Sequence, residues 1–210
     1  IDLEILTQKN LLTQKEITPP LFPEDSVDYG EVIKWKFPIL EKAFENFSKN
    51  ANITDNAKFN NVIIKNNDWL DDYALFMSLK DEFNGKSWLT WDENIRMRKP
   101  EALKYYKEKL ADKVRFYKFL QYEFSEQWLA LKAYANRNFI QIIGDIPLYI
   151  AADSSDAWAS PELFLLDDKT GYPLKVAGVP PDYFSATGQL WGNPIYRWDY
   201  MKADGFSWWV

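Results

Sequence analysis

The feature that most constrains the fold is a long helical periodicity that ends abruptly at a β-branched run. Apolar residues recur every three or four positions from Pro100 to Asn138, which predicts one long helix or two helices joined end to end. Pro100 suits the first turn of a helix, where its missing N–H is not needed. A coiled-coil dimer would give similar spacing, but aromatic side chains dominate the seam, so we expect packing within the molecule.

The sequence changes character at Phe139. Residues 140–145 form a short apolar run without strict alternation, which is typical of a parallel strand that is buried on both faces. A strand that follows directly on a helix is the pattern of a (β/α) repeat. The order of these elements therefore predicts an α/β fold.

Short apolar patterns before residue 68 predict further helices. Residues 1–12 suit a short helix that begins near Asp2, and residues 39–47 carry apolar side chains at helical spacing. Thr54 is a candidate cap for the helix that follows. The first third of the chain is therefore expected to be mainly helical, with an irregular connection over residues 17–30.

The rest of the chain alternates between a buried helix and irregular connections. Residues 68–83 are apolar around much of a helical surface, which indicates a buried helix that ends at Gly85. Prolines and glycines recur over 152–204, which predicts a long loop region. A connection of this length in a compact domain is usually a functional loop.

Composition excludes several classes of chemistry. The chain contains no His and no Cys, which excludes a Ser-His-Asp triad and thiol nucleophiles and argues against a zinc site. A net charge of -6 argues against nucleic-acid binding. No apolar run reaches the roughly 20 residues of a bilayer-spanning helix. The absence of cysteine is compatible with a reducing cytoplasm, where we expect the protein.

Several acidic residues near the predicted strand are candidates for a site. Asp145 follows the strand, where a parallel α/β fold places its site residues, but its position suits a cap of the next loop equally well. Either Asp153 or Ser154 fits a helix cap better than a ligand-binding role. Asp167 and Asp168 lead into an ordinary turn, and we assign them no function.

Residues 176–198 are the most informative segment. Tyr183, Phe184 and Trp191 lie on a stretch rich in proline and glycine, where a hydrophobic core does not require rings. Flat apolar rings can stack on the C–H faces of sugars, so we favour ligand binding over core packing here. The side chains that could hydrogen-bond sugar hydroxyls are Asp182, Ser185, Gln189 and Asn193.

Two blocks of this region resemble a known family. They are GDIPLYIAADSSDAWASPELF, which begins at Gly144, and AGVPPDYFSATGQLWGNPIYRWDYMKADGFSWW, which begins at Ala177. Both are similar to the amylomaltase or disproportionating-enzyme family of 4-α-glucanotransferases, in the α-amylase clan. The segments DWLDDYALFMSLKDEF and SWLTWDENIRMRKPEAL also resemble the helical insertion of that family.

The resemblance implies an α/β fold that is a partial (β/α)₈ TIM barrel with a large helical insertion. It implies that residues 1–138 are mainly helical insertion subdomains, and that residues 139–210 hold the third barrel strand and its long substrate-binding loop. The implied activity is disproportionation of maltooligosaccharides and other α-1,4-glucans by retaining double displacement. No metal or organic cofactor is implied.

The resemblance assigns substrate binding to a set of residues, which are Asp145, Asp182, Tyr183, Phe184, Trp191, Asn193 and Tyr73. Asp145 corresponds to the aspartate at the end of the third strand, which lines the site beside the reacting sugar. Tyr183 and Phe184 correspond to the aromatic tip of a flexible loop over the acceptor side. Tyr73 corresponds to a tyrosine of a secondary glucan site.

The catalytic residues of the family fall outside the sequence. The nucleophilic aspartate of the family lies in an Arg-Ile-Asp-His sequence on the fourth strand, and the acid/base glutamate lies on the fifth. Neither occurs before Val210, so we expect an internal fragment that does not turn over glucan alone. Ile140, Ile142 and Ile143 would then lack flanking strands, which would favour self-association.

Two other functions are compatible with the residues. A non-catalytic maltooligosaccharide-binding module would explain the aromatic loop without requiring a nucleophile. A helical interaction protein built around residues 100–138 would leave the loop motif unexplained.

Overall fold

Five helices begin after a polar residue whose side chain caps them. The computed structural model describes residues 1–210. Its helices are α1 (Leu3–Gln8), α2 (Tyr29–Asn50), α3 (Ile53–Lys65), α4 (Asn67–Glu82), α5 (Glu93–Arg96), α6 (Pro100–Lys109), α7 (Ala111–Arg137), α8 (Ser155–Ala159) and α9 (Trp198–Ala203). The strands are β1 (Val176–Val179) and β2 (Gln189–Pro194). The five capped helices are α1, α2, α3, α5 and α8.

The helix starts show which polar residues act as caps. The first helix begins near Asp2, as predicted, and Asp2 caps it, because its Oδ1 accepts a hydrogen bond from the Glu4 N–H at 2.8 Å. The prediction that Thr54 caps the next helix is wrong. Asn52 caps α3 instead, since its Oδ1 accepts from the Asp55 N–H at 2.9 Å and Thr54 already lies in the first turn.

The long periodicity forms two helices joined end to end, one of the two predicted arrangements. Pro100 is the first residue of α6, as predicted. Leu110 separates α6 from α7, and its N–H donates to the Tyr106 carbonyl at 2.9 Å while its own carbonyl accepts from Val114 at 2.9 Å. The chain therefore continues in helical hydrogen bonding through the junction.

The structure divides into two compact units. The first unit comprises residues 1–71 and 115–142, and the second comprises residues 72–114 and 143–210. The predicted division at residue 138 separates an insertion from a barrel, and it stays a prediction. None of the helices combines the length and the apolar composition that crossing a membrane requires.

The first unit has an aromatic core. The Phe47 ring lies 5.4 Å from Phe59 and 5.1 Å from Phe119, and Tyr122 lies 5.6 Å from Phe59. All four rings are buried. The expected packing of α7 within the molecule is therefore found in its first half, whose aromatic residues supply two of these rings.

A carboxylate is buried beside this core. Glu123 is 1% exposed, and its Oε2 accepts from Lys9 Nζ at 2.7 Å. Burial raises the pKa of Glu123, and the nearby carboxylates of Glu126 and Asp55 raise it further, while Lys9 opposes the shift. The desolvation of this carboxylate therefore outweighs its pairing with Lys9.

The second unit is built around tryptophan. Trp91 and Trp158 are buried, with ring centroids 5.9 Å apart, and Phe76 from α4 packs against both. The helix α4 ends at Glu82, close to the predicted end at Gly85. Gly85 follows with a φ of +75°, which favours glycine, and its N–H donates to the Lys80 carbonyl. Trp91, which follows α4 in sequence, thereby folds back onto the helix.

The predicted parallel strand over 140–145 is not formed. Residues 140–147 adopt no helix or strand, and the only sheet is the antiparallel pair of β1 and β2. A strand needs a neighbour to satisfy its N–H and C=O groups, and no segment of the chain pairs with this one. Its isoleucines are exposed as expected, Ile140 by 59%, Ile142 by 40% and Ile143 by 92%.

We expect these isoleucines to drive concentration-dependent association of the 210-residue chain, since a contiguous exposed apolar segment favours contact with another surface. Ile143→Ser should shift the chain toward monomer in sedimentation velocity. Ile53→Ser removes an equally exposed isoleucine from α3 and should leave association unchanged. A wild-type chain that stays monomeric from micromolar to millimolar concentration would contradict the prediction.

Candidate functional site

The aromatic loop of the sequence is the tip of a hairpin. β1 and β2 pair antiparallel, with Val176 opposite Pro194 and Val179 opposite Gln189. Residues 180–188 connect them and begin with two prolines, which have no N–H to pair and stiffen the exit from β1. The connecting loop therefore lies at one end of the two-stranded hairpin.

Two glycines permit the close approach of the two strands. A Cβ at Gly178 would lie 2.6 Å from the Gln189 carbonyl oxygen, and a Cβ at Gly188 would lie 2.6 Å from the Val179 carbonyl oxygen. Gly188 also has a φ of +75°, which side chains disfavour. The base of the loop is therefore closed by backbone contacts that only glycine allows.

Asp182 holds the loop from within. Its Oδ1 accepts from the Phe184 N–H at 2.9 Å and from the Ser185 N–H at 2.8 Å. Ser185 Oγ donates in turn to the Gly188 carbonyl at 2.8 Å. Asp182 was predicted to bind substrate, and in this structure one of its oxygens orders the backbone that carries the aromatic tip.

The two rings at the tip are not part of a core. Tyr183 is 98% exposed and Phe184 is 89% exposed. The rings contact each other edge to face, with centroids 5.6 Å apart and planes at 88°. Two exposed apolar faces held by an ordered backbone are suited to contact a flat ligand.

β2 is tied to the segment that follows Asp145. Asn193 Nδ2 donates to the Ile150 carbonyl at 2.7 Å, and the Trp191 ring lies edge to face with Tyr149 at 6.1 Å. The Asn193 amide is thus used to join two segments of the protein. Asp145 itself is exposed and lies five residues before Ile150.

The predicted site residues are only partly brought together. Asp182, Tyr183 and Phe184 share the loop, and Trp191 and Asn193 share β2. Asp145 lies five residues before Ile150, whose carbonyl Asn193 binds. Tyr73 is half-buried on α4, outside the hairpin.

A buried aromatic layer below β2 was missed by the sequence reasoning. Tyr196 is 2% exposed and stacks on Tyr149, with centroids 6.0 Å apart and planes at 13°. Trp208 and Trp209 also contact the Tyr196 ring, at 5.8 and 5.2 Å. The many aromatic residues after β2 could have indicated this layer. The number of rings alone, however, does not distinguish a buried core from a ligand-binding cleft.

The predicted caps and turns are present. Ser154 caps α8, since its Oγ accepts from the Ala157 N–H at 3.2 Å. Asp153 instead pairs with Lys80, at 2.7 Å between Oδ2 and Nζ. Asp167 Oδ1 accepts from the Thr170 hydroxyl and N–H, and these bonds lower the pKa of Asp167. No group of three or more acidic side chains is arranged to hold a metal ion.

Comparison with known proteins decides the family. The family model of glycoside hydrolase 77, described as 4-alpha-glucanotransferase, matches residues 1–210. The chain belongs to this family. The resemblance inferred from the two motif blocks is thereby confirmed.

Individual relatives extend beyond the chain. It is 50% identical over 212 residues to a 4-alpha-glucanotransferase of Clostridium butyricum and 45% identical over 210 residues to one of Thermus thermophilus. It spans 43% and 41% of the lengths of these two relatives. The amylomaltase from Streptococcus agalactiae, solved in complex with acarbose, matches the whole chain with a TM-score of 0.93 and 42% identity, and the chain spans 42% of it.

The glycine contacts of the hairpin predict an order of destabilisation. Gly188→Ala should open the hairpin most, because the new Cβ meets both a left-handed φ and the Val179 carbonyl. Gly192→Ala is the matched control, since its φ is +79° but nothing lies within 4 Å of the new Cβ, so only the backbone cost of about 1–2 kcal/mol applies. Hydrogen exchange of the β1 and β2 amides measures the opening. Equal exchange in the two variants would contradict the close contact.

Proposed function

We propose that the chain forms part of a 4-α-glucanotransferase that disproportionates maltooligosaccharides and other α-1,4-glucans derived from starch or glycogen. The match of the family over all 210 residues supports this activity, as does the solved amylomaltase that shares the fold and carries acarbose. The observation that carries the proposal is the pair of exposed rings, Tyr183 and Phe184, on a loop ordered by Asp182.

The reaction would proceed by retaining double displacement. A carboxylate attacks the anomeric carbon, a second carboxyl group protonates the leaving oxygen, and a sugar hydroxyl resolves the glycosyl-enzyme. The Arg-Ile-Asp-His sequence that carries the nucleophile in this family does not occur among the 210 residues. These residues would therefore supply substrate binding, and the full-length protein would supply the nucleophile and the acid/base.

Tyr183 and Phe184 would favour transfer over hydrolysis. Transfer requires that a sugar hydroxyl reach the glycosyl-enzyme before water does, although water is far more concentrated. Rings stacked on the acceptor sugar bind it and also exclude water from the site. Trp191 would extend this apolar surface, and Asp145 would line the site beside the reacting sugar.

We further propose that residues 139–210 contribute the third strand of a (β/α)₈ barrel in the full-length protein, with residues 1–138 as helical insertions. The exposed Ile140, Ile142 and Ile143 support this placement, since a parallel strand with neighbours on both sides would bury them. Tyr73 would belong to a secondary glucan site. A cysteine-free sequence suits a reducing cytoplasm, where we place the enzyme.

Incubation of the full-length protein with maltotriose tests the activity. Chromatography should show glucose together with maltooligosaccharides longer than maltotriose, because each transfer shortens one sugar and lengthens another. The 210-residue chain alone should form neither. Folded full-length protein that binds maltooligosaccharides without forming new products would instead establish a non-catalytic binding module.

Substitution of the two rings tests their role. Tyr183→Ala with Phe184→Ala in the full-length protein should raise the ratio of hydrolysis to transfer by about 2- to 10-fold, the equivalent of one aromatic contact. Reducing-sugar release and oligosaccharide chromatography together give this ratio. Tyr172→Ala removes another exposed ring, outside the loop, and should leave the ratio unchanged. An unchanged ratio in the double variant would show that the rings do not exclude water.

A further inference from the structure

The side chain of Lys80 is bound by three acceptors near the end of α4. Its Nζ donates to the Gly85 carbonyl at 2.8 Å, to the Lys86 carbonyl at 3.0 Å and to Asp153 Oδ2 at 2.7 Å. An ammonium group has three N–H donors, so every donor of Lys80 is used. The side chains of Lys80 and Asp153 are 18% and 37% exposed, which makes this a partly buried ion pair.

Asp153 is held by a second group as well. Its other oxygen, Oδ1, accepts from the Trp88 N–H at 3.2 Å, and Trp88 Nε1 donates to the Ala152 carbonyl at 2.8 Å. Trp88 is 3% exposed, so these donors belong to a residue of the core. Residues 152–153 are therefore fixed to the end of α4 and to the residues that follow it.

The same part of the chain also contacts the hairpin. Asn193 on β2 donates through Nδ2 to the Ile150 carbonyl at 2.7 Å, and the Tyr149 ring lies 6.1 Å from the Trp191 ring. Residues 149–153 are thus bound by α4 and its following residues at one end and by β2 at the other. We call residues 149–153 the bridging segment.

The bridging segment supports a ring that is proposed to bind substrate. Trp191 is 42% exposed, so part of its ring is free to contact a ligand. The edge-to-face contact with Tyr149 restricts this ring, and Asn193, two residues further along β2, is bonded to the same segment. A displacement of the bridging segment would therefore change the position of the Trp191 ring.

We propose that Lys80 is a positioning residue for glucan transfer, which acts through Asp153 and the bridging segment on Trp191. This inference rests on the proposed transferase activity. None of the three acceptors of Lys80 is among the residues proposed to bind glucan. Loss of the ion pair would loosen the support of an apolar surface that excludes water, so hydrolysis would increase relative to transfer.

The ratio of hydrolysis to transfer in the full-length protein tests this role. Lys80→Met keeps most of the side-chain length but removes the donors, and should raise the ratio by about 2- to 5-fold, the range expected for one partly exposed ion pair. Loss of folded enzyme lowers both rates equally, so a merely structural role would leave the ratio unchanged. Lys113→Met is the matched control, because it breaks an ion pair of 3.0 Å with Asp81, near the same end of α4, and should retain the wild-type ratio.

Asp153→Asn separates the ion pair from the other bonds of Lys80. It leaves the bonds from Lys80 to the Gly85 and Lys86 carbonyls, and the new amide oxygen can still accept from the Trp88 N–H. This variant should raise the ratio as Lys80→Met does. The double variant should match either single variant, because both substitutions break the same ion pair.

Hydrogen exchange tests the same connection without catalysis. In the 210-residue chain, Lys80→Met should increase exchange of the β2 amides, whereas Lys113→Met should not.

Four outcomes would overturn the proposal. The first is a wild-type ratio in Lys80→Met, and the second is unchanged β2 exchange in the same variant. The third is a raised ratio in Lys80→Met but not in Asp153→Asn, which would show that Lys80 supports only the end of α4. The fourth is an equal rise in Lys113→Met. Transfer by the wild-type protein persists in all four, which distinguishes them from failure of the proposed activity.

Discussion

The arrangement of the second unit depends on the burial of Tyr196. Its ring contacts Tyr149, Phe164 and Trp209, which belong to segments far apart in sequence. Each such ring pair contributes about 0.5–1.5 kcal/mol beyond the burial of apolar area. The hydroxyl of Tyr196 opposes part of this gain, because it is buried without a partner and burial raises its pKa. One aromatic layer thus fixes the base of β2 and the segment that follows Asp145.

The hairpin combines a fixed base with an exposed tip. Asn193 and Tyr196 anchor the end of β2, while Tyr183 and Phe184 project into solvent from a loop closed by Asp182. Rigid elements that carry an exposed loop are a common arrangement for binding sites. The aspartates of the second unit differ in the same way. The carboxylates of Asp182, Asp153 and Asp167 accept hydrogen bonds from backbone N–H groups, whereas Asp145 is exposed.

Local signals were sufficient for much of the fold. Pro100 and Ser154 mark helix starts, Pro100 by its missing N–H and Ser154 by its side-chain oxygen. Gly85 follows the end of α4 with a positive φ that glycine tolerates. Thr54 is not the cap because α3 begins at Ile53, so Asn52 caps it and Thr54 lies within the first turn. The residues of the aromatic loop could be singled out from the sequence, but their geometry could not. Nothing local indicated that the Asn193 amide bonds to the Ile150 carbonyl, because a contact across 43 residues depends on packing.

The sequence by itself determined the helices, the irregular loop and membership of the family, because these depend on local spacing and on long runs of specific residues. Only the tertiary structure decided the state of residues 140–145, whose apolar, β-branched character is that of a buried strand. A strand forms only when a neighbour pairs with its backbone groups, and no segment of this chain does so. The tertiary structure likewise decided which aromatic rings are core and which are surface. Tyr196 and Tyr183 look alike in sequence, and only packing distinguishes the buried ring from the exposed one.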